Sequence, residues 1–267
     1  MDTAAGDPIV STDWLAAHLD DTNVRIIDAS FKMPGAVPRP FEDYVSAHIR
    51  GAVFFDVDTV SDHSSRLPHM YPAAEQFARD VSLLGISDDD LVVAYDSGSW
   101  LAAPRAWWMF LSFGHDKVKV LDGGLKKWLL EARSTESGNV VHEPGRLNAT
   151  FDAAAVRSED QVANIIGSRT EQIVDARARD RFGGSVTEPW PGRRSGHIPG
   201  SRNVPYTDII DSTTGTMLPL ADVRRAFAGA GVDLERPVVT MCGSGVSASV
   251  LTLALYRLGV RGSALYD

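Results

Sequence analysis

Hydrophobic and polar positions near the end of the chain follow the pattern of a strand, a turn and a helix. The apolar, β-branched run Val238–Thr240 predicts a buried strand, and Cys242 stands at its end. Two glycines follow within three residues, so the backbone can turn sharply there. The segment 247–258 then carries apolar residues at helical spacing and is followed by Gly259, which predicts a helix and its C-terminal stop. The sequence therefore places Cys242 in a strand–loop–helix turn.

The same order of elements occurs twice along the chain. Five positions of the first copy align with five of the second at offsets of 145–149 residues: Ser11, Asp28, His48, Asp96 and Asp122 with Ser158, Asp175, His197, Cys242 and Asp267. In each copy a serine is predicted to cap the first helix, and an apolar strand ends in aspartate. Two further helices are predicted over 73–84 and 102–113, each followed by glycine. Ordered matches at a near-constant offset indicate a tandem repeat of one domain.

Strands that alternate with helices predict an α/β fold, in which each domain is a mostly parallel sheet with helices on both faces. We expect an N-terminal domain over residues 1–133 and a C-terminal domain over residues 158–267. The span between them, 134–157, is polar and contains two glycines and a proline, which favours a linker.

Composition narrows the classes of protein that fit this chain. With 44% hydrophobic and 23% charged residues in a total of 267, it has the balance of one large or two ordinary folded domains. The formal net charge of −9 argues against a nucleic-acid-binding protein, because phosphate contacts need a basic face. The N-terminal segment has no signal-peptide pattern, and no apolar run is long enough to span a membrane. We therefore expect a cytoplasmic protein that binds neither nucleic acid nor membrane.

Cys242 is the one cysteine of the sequence, which excludes an internal disulfide and a cysteine-cluster metal site. We expect neither a bound metal nor a cofactor. A lone cysteine is often a small buried hydrophobe. Here, however, it comes just before a predicted helix N-terminus, where backbone N–H groups and the positive end of the helix favour a thiolate. The loop amides expected to serve it are those of Gly243, Ser244, Gly245, Val246 and Ser247.

The equivalent turn of the first copy carries Asp96 in place of the cysteine. A carboxylate cannot perform thiol chemistry, so we expect the first copy to be catalytically silent and to act as a scaffold. Polar residues that the two copies share, Asp28 with Asp175 and His48 with His197, are interpreted as structural because the silent copy keeps them.

The loop sequence CGSGVSA at 242–248 resembles that of tandem rhodanese-like sulfurtransferases, and it is close to the CGSGVTA pattern of the 3-mercaptopyruvate sulfurtransferases. Further stretches agree in order, so the resemblance runs from about residue 9 to the end: HIRGAVFFDVD, PRAWWMF, VLDGGLKKW, VDARARDRF and SGHIPG. The resemblance implies that the cysteine thiolate takes the sulfur of 3-mercaptopyruvate, becomes a persulfide and releases pyruvate. A thiol, cyanide or a thioredoxin-like protein then accepts the outer sulfur.

The resemblance also implies roles for individual residues. Ser244 corresponds to a serine that acts with a histidine and an aspartate of the first domain, and these match His69 and Asp58. Such a relay can deliver the proton that the departing enolate collects. Without the resemblance, His69 would be interpreted as a surface loop histidine. Arg181 matches an arginine that binds the substrate carboxylate, whereas its neighbour Arg177 is expected to pair with an acid near the strand end.

Two departures from the family pattern affect the expected site. Trp190 stands where the family often has an arginine, within Glu188–Gly192, and Arg193 or Arg194 is expected to reach the same space instead. The family usually continues past its final Tyr-Asp with a further helix, whereas this sequence stops at Asp267, which allows a truncated second domain.

Three other functions stay open. Thiosulfate:cyanide sulfurtransferases of the same family carry cationic residues directly after the cysteine, whereas Gly243 and Ser244 are neutral, which favours 3-mercaptopyruvate as donor. A phosphatase with a Cys-x5-Arg loop is disfavoured, because the sixth residue after Cys242 is Ala248 and not an arginine that could bind phosphate. The third is a non-catalytic sulfur carrier or interaction module, against which the intact cysteine loop argues.

Overall fold

A computed structural model describes residues 6–33, 35–98, 100–189 and 192–267 of the chain. The chain forms two compact units. The first runs to Asp152 and includes Thr213–Thr216, and the second comprises Ala153–Ser212 and Met217–Asp267. Among the described residues, no helix is long and apolar enough to cross a membrane.

The first unit contains a five-stranded sheet in which every strand pair is parallel, in the order β1-β5-β4-β2-β3. Its strands are β1 Ile9–Val10, β2 Val24–Asp28, β3 Val53–Phe54, β4 Leu91–Tyr95 and β5 Val118–Leu121. Its helices are α1 Thr12–Ala17, α2 Pro40–Ser46, α3 Ala74–Leu83, α4 Ala103–Ser112 and α5 Gly124–Leu130. The helices predicted over 73–84 and 102–113 are confirmed as α3 and α4, each one residue shorter at both ends.

The second unit repeats this topology, with a parallel sheet in the order β6-β10-β9-β7-β8. Its strands are β6 Val156–Arg157, β7 Gln172–Asp175, β8 Arg202–Asn203, β9 Val238–Met241 and β10 Ala264–Tyr266. Its helices are α6 Glu159–Ser168, α7 Arg179–Gly183, α8 Leu220–Gly229 and α9 Ala248–Arg257. Short 3-10 turns occupy Ala153–Ala155 and Tyr206–Ile209. The α/β class with two parallel-sheet domains is confirmed. The segment 134–157, predicted as a linker, ends in a 3-10 turn and the edge strand β6.

The two predicted helix caps are present and have the geometry that the sequence requires. The Ser11 side chain accepts a hydrogen bond from the Trp14 backbone N–H at 3.0 Å. Ser158 accepts one from the Gln161 backbone N–H at 3.3 Å, and the Gln161 side chain accepts one in return from the Ser158 backbone N–H at 2.8 Å. This reciprocal pair is a capping box, which satisfies two amides that the first turn of α6 would leave unpaired.

The core of the second unit explains why its cysteine turn is held firmly. All four residues of β9 are buried, and so are the first eight residues of α9, from Ala248 to Leu255. Full burial of one valine or leucine side chain stabilises a fold by roughly 1.5–3 kcal/mol. The strand before the turn and the helix after it are therefore both fixed by packing on several sides.

Candidate active site

Cys242 lies in the loop between β9 and α9, with its side chain partly exposed. The Ser244 backbone N–H donates to Cys242 Sγ at 3.5 Å. Gly245 has a φ of +73°, in the left-handed region where a side chain would be strained, and the Ser249 hydroxyl donates to its carbonyl at 2.9 Å. A second hydrogen bond, 2.8 Å between the hydroxyl oxygens of Thr240 and Thr252, joins β9 to α9. The predicted strand–loop–helix turn around the cysteine is confirmed.

The other amides of this loop point to no acceptor that the structure describes. In the described part of the chain, no protein acceptor takes a hydrogen bond from the backbone N–H groups of Gly243, Gly245, Val246 or Ser247. Unpaired backbone donors are costly away from water, so such a set is normally reserved for a ligand or an anion. A negative charge on the cysteine sulfur, or on an atom attached to it, would be stabilised by these amides and by the N-terminus of α9.

The corresponding loop of the first unit is occupied by a carboxylate. Asp96 Oδ1 accepts hydrogen bonds from the backbone N–H groups of Gly98 at 2.8 Å and Trp100 at 3.3 Å. Asp96 Oδ2 accepts from Ala102 at 3.2 Å and Ala103 at 3.3 Å. The loop therefore has the same ability to bind an anion, but its own side chain fills it. This agrees with the expectation that the first copy has no nucleophile.

Asp58 and His69, which the sequence paired, meet in the first unit. His69 Nε2 lies 2.7 Å from Asp58 Oδ1. The histidine side chain is 1% exposed, whereas the Asp58 side chain is 66% exposed. The hydrogen bond from His69, which outweighs partial burial, lowers the pKa of Asp58 below its usual value. The structure thus presents an ionised carboxylate that orients a buried imidazole.

The surroundings of His69 correct the alternative that it is a surface loop histidine. Its ring packs edge-on against Phe31, with centroids 5.0 Å apart. Its backbone carbonyl accepts a hydrogen bond from Arg105 Nη2 at 2.5 Å, and Arg105 is itself fully buried. The residue also has a φ of +61°, in the left-handed region that few residues other than glycine adopt. A loop histidine held in this way has a fixed position, as a group that moves protons needs.

An ion-pair cluster of two arginines and two acids lies beyond the carboxyl end of β7. Arg177 donates to both carboxylate oxygens of Asp175 at 2.6–3.1 Å and to Glu188 at 2.9 Å. Arg181 donates to the same Glu188 through Nε and Nη2. Burial alone would raise the pKa of Glu188, but the hydrogen bonds and charges of Arg181 and Arg177 outweigh it and lower the pKa. The expectation that Arg177 is structural is confirmed. Sequence reasoning missed Glu188 as the acid that holds both arginines.

The arginines expected to bind a substrate carboxylate differ in their availability. Arg181 is committed to Glu188 through two nitrogens, but its side chain is still 26% exposed. Arg193 and Arg194 are exposed, and neither pairs with a carboxylate in the described ranges. Burial raises the pKa of the Tyr266 phenol at the end of β10, and the positive charge of Arg193 partly opposes this rise. Trp190, which stands in place of a family arginine, lies outside the described residues.

The histidines that both copies share hold turns, as expected. His48 Nδ1 lies 2.8 Å from the Tyr44 carbonyl, and His197 Nδ1 lies 2.9 Å from the Phe182 carbonyl. Each ring also stacks on the aromatic side chain of that same partner residue.

Comparison with known proteins agrees with this geometry. The Rhodanese-like domain family matches residues 11–131 and 158–267. The 3-mercaptopyruvate sulfurtransferase of Escherichia coli is 43% identical over 97% of this chain and 92% of its own. Thiosulfate/3-mercaptopyruvate sulfurtransferase 2 of Arabidopsis thaliana is 40% identical over 99% of this chain and 83% of its own. The crystal structure of SseA from E. coli, presented as a 3-mercaptopyruvate sulfotransferase with the rhodanese fold, superposes with a TM-score of 0.90 at 41% identity over 97% of each chain.

These matches cover both units and nearly the whole chain, and they agree with the two identical sheet topologies and the cysteine loop. The chain belongs to the family of rhodanese-like domain proteins, and it carries two copies of that domain.

Proposed function

We propose that this protein is a sulfurtransferase that takes sulfur from 3-mercaptopyruvate onto Cys242 and passes it to a thiol acceptor. The observation that carries the proposal is the set of loop amides, without an acceptor among the described residues, around a partly exposed cysteine at the N-terminus of α9. The names of the E. coli and A. thaliana relatives support the same reaction.

The first half-reaction needs a thiolate and a stabilised leaving group. Cys242 Sγ attacks the sulfur of 3-mercaptopyruvate, so that a sulfur–sulfur bond forms and the carbon–sulfur bond breaks. The electron pair of that bond goes to the carbon, which leaves as the enolate of pyruvate. The proton of the substrate thiol is transferred in net terms to that carbon, which yields pyruvate and a persulfide anion. The loop amides stabilise the anion without rearranging.

The second half-reaction regenerates the enzyme. A thiolate of the acceptor attacks the outer sulfur, a new sulfur–sulfur bond forms on the acceptor, and the electron pair of the broken bond returns to Cys242. Small thiols, cyanide and a thioredoxin-like protein are all chemically competent acceptors. The free cysteine suits a reducing compartment, and we place the protein in the cytoplasm as part of this proposal.

Proton delivery and substrate binding complete the proposal. Ser244, with His69 oriented by Asp58, is assigned to proton transfer to the enolate, which the buried and fixed imidazole supports. Arg181 is assigned to the substrate carboxylate, with Arg193 or Arg194 as the second contact. A guanidinium group has five N–H donors, so the two that Arg181 gives to Glu188 leave others for a ligand.

Thiosulfate is the second candidate donor, because the name of the A. thaliana relative includes it beside 3-mercaptopyruvate. The neutral residues Gly243 and Ser244 after the cysteine offer no cation to a dianion, so we expect thiosulfate to be the poorer donor. The two donors are separated by steady-state kinetics with one acceptor, cyanide, while pyruvate and thiocyanate are measured. A higher kcat/KM with 3-mercaptopyruvate supports the proposal, and a higher value with thiosulfate reverses the assignment. No turnover of either donor would favour a non-catalytic sulfur carrier.

A further inference from the structure

A cavity of about 490 Å³ lies in the second unit, at the opposite end of the sheet from Cys242. Its wall includes Gln172 and Ile173 at the amino end of β7 and Arg202 at the amino end of β8. Cys242 follows the carboxyl end of β9, and the strands of this sheet are parallel. The cavity therefore shares no residue with the sulfur-transfer site, and its role does not depend on the proposed reaction.

Three arginines from separate segments line this cavity. Arg169 follows α6, Arg202 begins β8, and Arg236 comes just before β9. Arg236 Nη2 donates to the Arg169 backbone carbonyl at 2.7 Å, so the guanidinium group of Arg169 takes no part in this hydrogen bond. Within the described ranges, no carboxylate lies within 4.0 Å of any of the three guanidinium groups.

Glu171, the acid on the cavity wall, does not neutralise these three arginines. Both of its carboxylate oxygens accept hydrogen bonds from Arg157, each at 2.8 Å, so its charge is already paired with that arginine. Gln172 is likewise occupied, because its side chain exchanges two hydrogen bonds with the Asp233 backbone. In a chain with a net charge of −9, the cavity is thus a local excess of positive charge, and no described carboxylate forms an ion pair with its three arginines.

Apolar side chains form the rest of the wall. Ile165 and Ile173 are buried, and Ile166 is 38% exposed, a high value for an isoleucine on a helix that faces a cavity. Small-molecule sites in proteins are typically concave, of roughly 300–1,000 Å³, and mostly apolar with a few convergent polar groups. The volume, the isoleucines and the guanidinium groups together match that description.

We propose that this cavity binds a small organic oxyanion that carries at least two negative charges and an apolar body. Planar guanidinium groups bind carboxylate and phosphate oxygens in pairs, so both oxyanion chemistries fit. The isoleucine surface favours a ligand with a carbon skeleton over an inorganic ion. The site is a second ligand site in the C-terminal domain, separate from the sulfur donor's.

Calorimetric titration of the full chain tests the proposal with three probes. Phenyl phosphate carries a phosphate on an apolar ring, phthalate carries two carboxylates on the same ring, and a glutamate hexapeptide represents an acidic protein surface. We expect one equivalent of phenyl phosphate or of phthalate to bind at millimolar concentration or below, and the stronger of the two identifies the oxyanion. Binding of neither, or of the peptide alone, would overturn the proposal.

Paired variants locate the binding. Ile166→Glu places a negative charge on the cavity wall, and Ile166→Gln is its neutral match in size. We expect the glutamate variant to lose at least tenfold in affinity relative to the glutamine variant, because the two differ only in charge. Equal affinities would place the ligand elsewhere.

A second pair removes one guanidinium group at a time. Arg202→Ala should weaken binding about tenfold or more, as expected for the loss of a charge-assisted contact. Arg224→Ala removes the same charge from an exposed position on α8 outside the cavity and should leave the affinity unchanged. Thermal unfolding confirms that each variant is folded. Equal losses in both variants would show a general charge effect and refute the site.

Discussion

The two units share one sheet topology, and at the same turn after the central strand one carries Asp96 and the other Cys242. In the first unit, the backbone amides of Gly98, Trp100, Ala102 and Ala103 donate to the Asp96 carboxylate. In the second unit, four loop amides have no acceptor among the described residues, and a fifth reaches the sulfur. The turn is therefore suited to an anion in both copies. In the first copy the anion is the carboxylate of Asp96. The second copy leaves room for an anion that forms during a reaction.

The strand that ends beside this turn shows a second contrast. Asp28 and Asp175 occupy equivalent positions, at the ends of β2 and β7. Asp175 pairs with Arg177, whereas the residue two positions after Asp28 is Ser30, which offers hydrogen bonds but no charge. Burial, opposed by the hydrogen bonds from Ser30, raises the pKa of Asp28 to about 6. The second unit thus pairs its buried acid with a buried cation, whereas Asp28 has no such cation among the described residues.

The largest effect is expected at the nucleophile. Cys242→Ser should abolish sulfur transfer, since no other thiol is present in the chain. Pyruvate release from 3-mercaptopyruvate is the measurement, and the melting temperature checks that the variant is folded. Residual transfer at the rate of the unmodified protein would show that another group is the nucleophile.

Asp175→Asn should destabilise the second unit by roughly 3 kcal/mol at neutral pH, because it removes the charge of one partner of a buried pair and leaves Arg177 with Glu188 as its ionised partner. Denaturant unfolding followed by fluorescence measures the loss. An unchanged unfolding free energy would mean that Glu188 is sufficient to hold the arginine.

The equivalent change in the first unit should have the opposite sign. The folded pKa of Asp28, about 6, exceeds the unfolded value near 3.8, so this group lowers stability as pH rises from about 4 through 6. Asp28→Asn mimics the protonated form and should stabilise the first unit by about 3 kcal/mol at pH 8, at 1.36 kcal/mol per pKa unit. Near pH 3.5 the gain should vanish. A gain that is equal at both pH values would rule out titration of Asp28 as its cause.

Arg181→Ala should raise KM for 3-mercaptopyruvate about tenfold or more, while kcat changes less, because a guanidinium contact to a carboxylate acts in binding. Arg179→Ala is the matched control, since Arg179 is an exposed neighbour that pairs with Asp208. An unchanged KM in the Arg181 variant would show that Arg181 does not bind the substrate carboxylate and would assign that contact to Arg193 or Arg194.

The smallest effect is expected when the thiol is copied into the first unit. Asp96→Cys should not yield a second persulfide, because backbone amides of the Asp96 loop are arranged around the two oxygens of a carboxylate. The number of sulfur atoms taken up per chain, measured by cyanolysis, gives the result. Two per chain would show that the two loops are equivalent in all but one residue.

Local pattern was enough to predict the strand and helix on either side of Cys242, the helices α3 and α4 and both serine caps, since each depends on residues close in sequence. The Arg177–Glu188 pair could not be predicted in this way, because its partners are 11 residues apart, on either side of helix α7. The contact of Asp58 with His69 likewise came from the family pattern and not from periodicity, since both lie in loops. The arginine cavity depends on three distant segments, and only the packed sheet brings them together.

Intact-mass spectrometry before and after 3-mercaptopyruvate tests the central claim most directly. We expect a gain of one sulfur atom per chain, reversed by a thiol and absent in Cys242→Ser, because the thiolate in the open amide loop is the group that accepts the sulfur. A gain that persists in Cys242→Ser, or no gain with either 3-mercaptopyruvate or thiosulfate, would contradict the assignment of the second unit as the catalytic one.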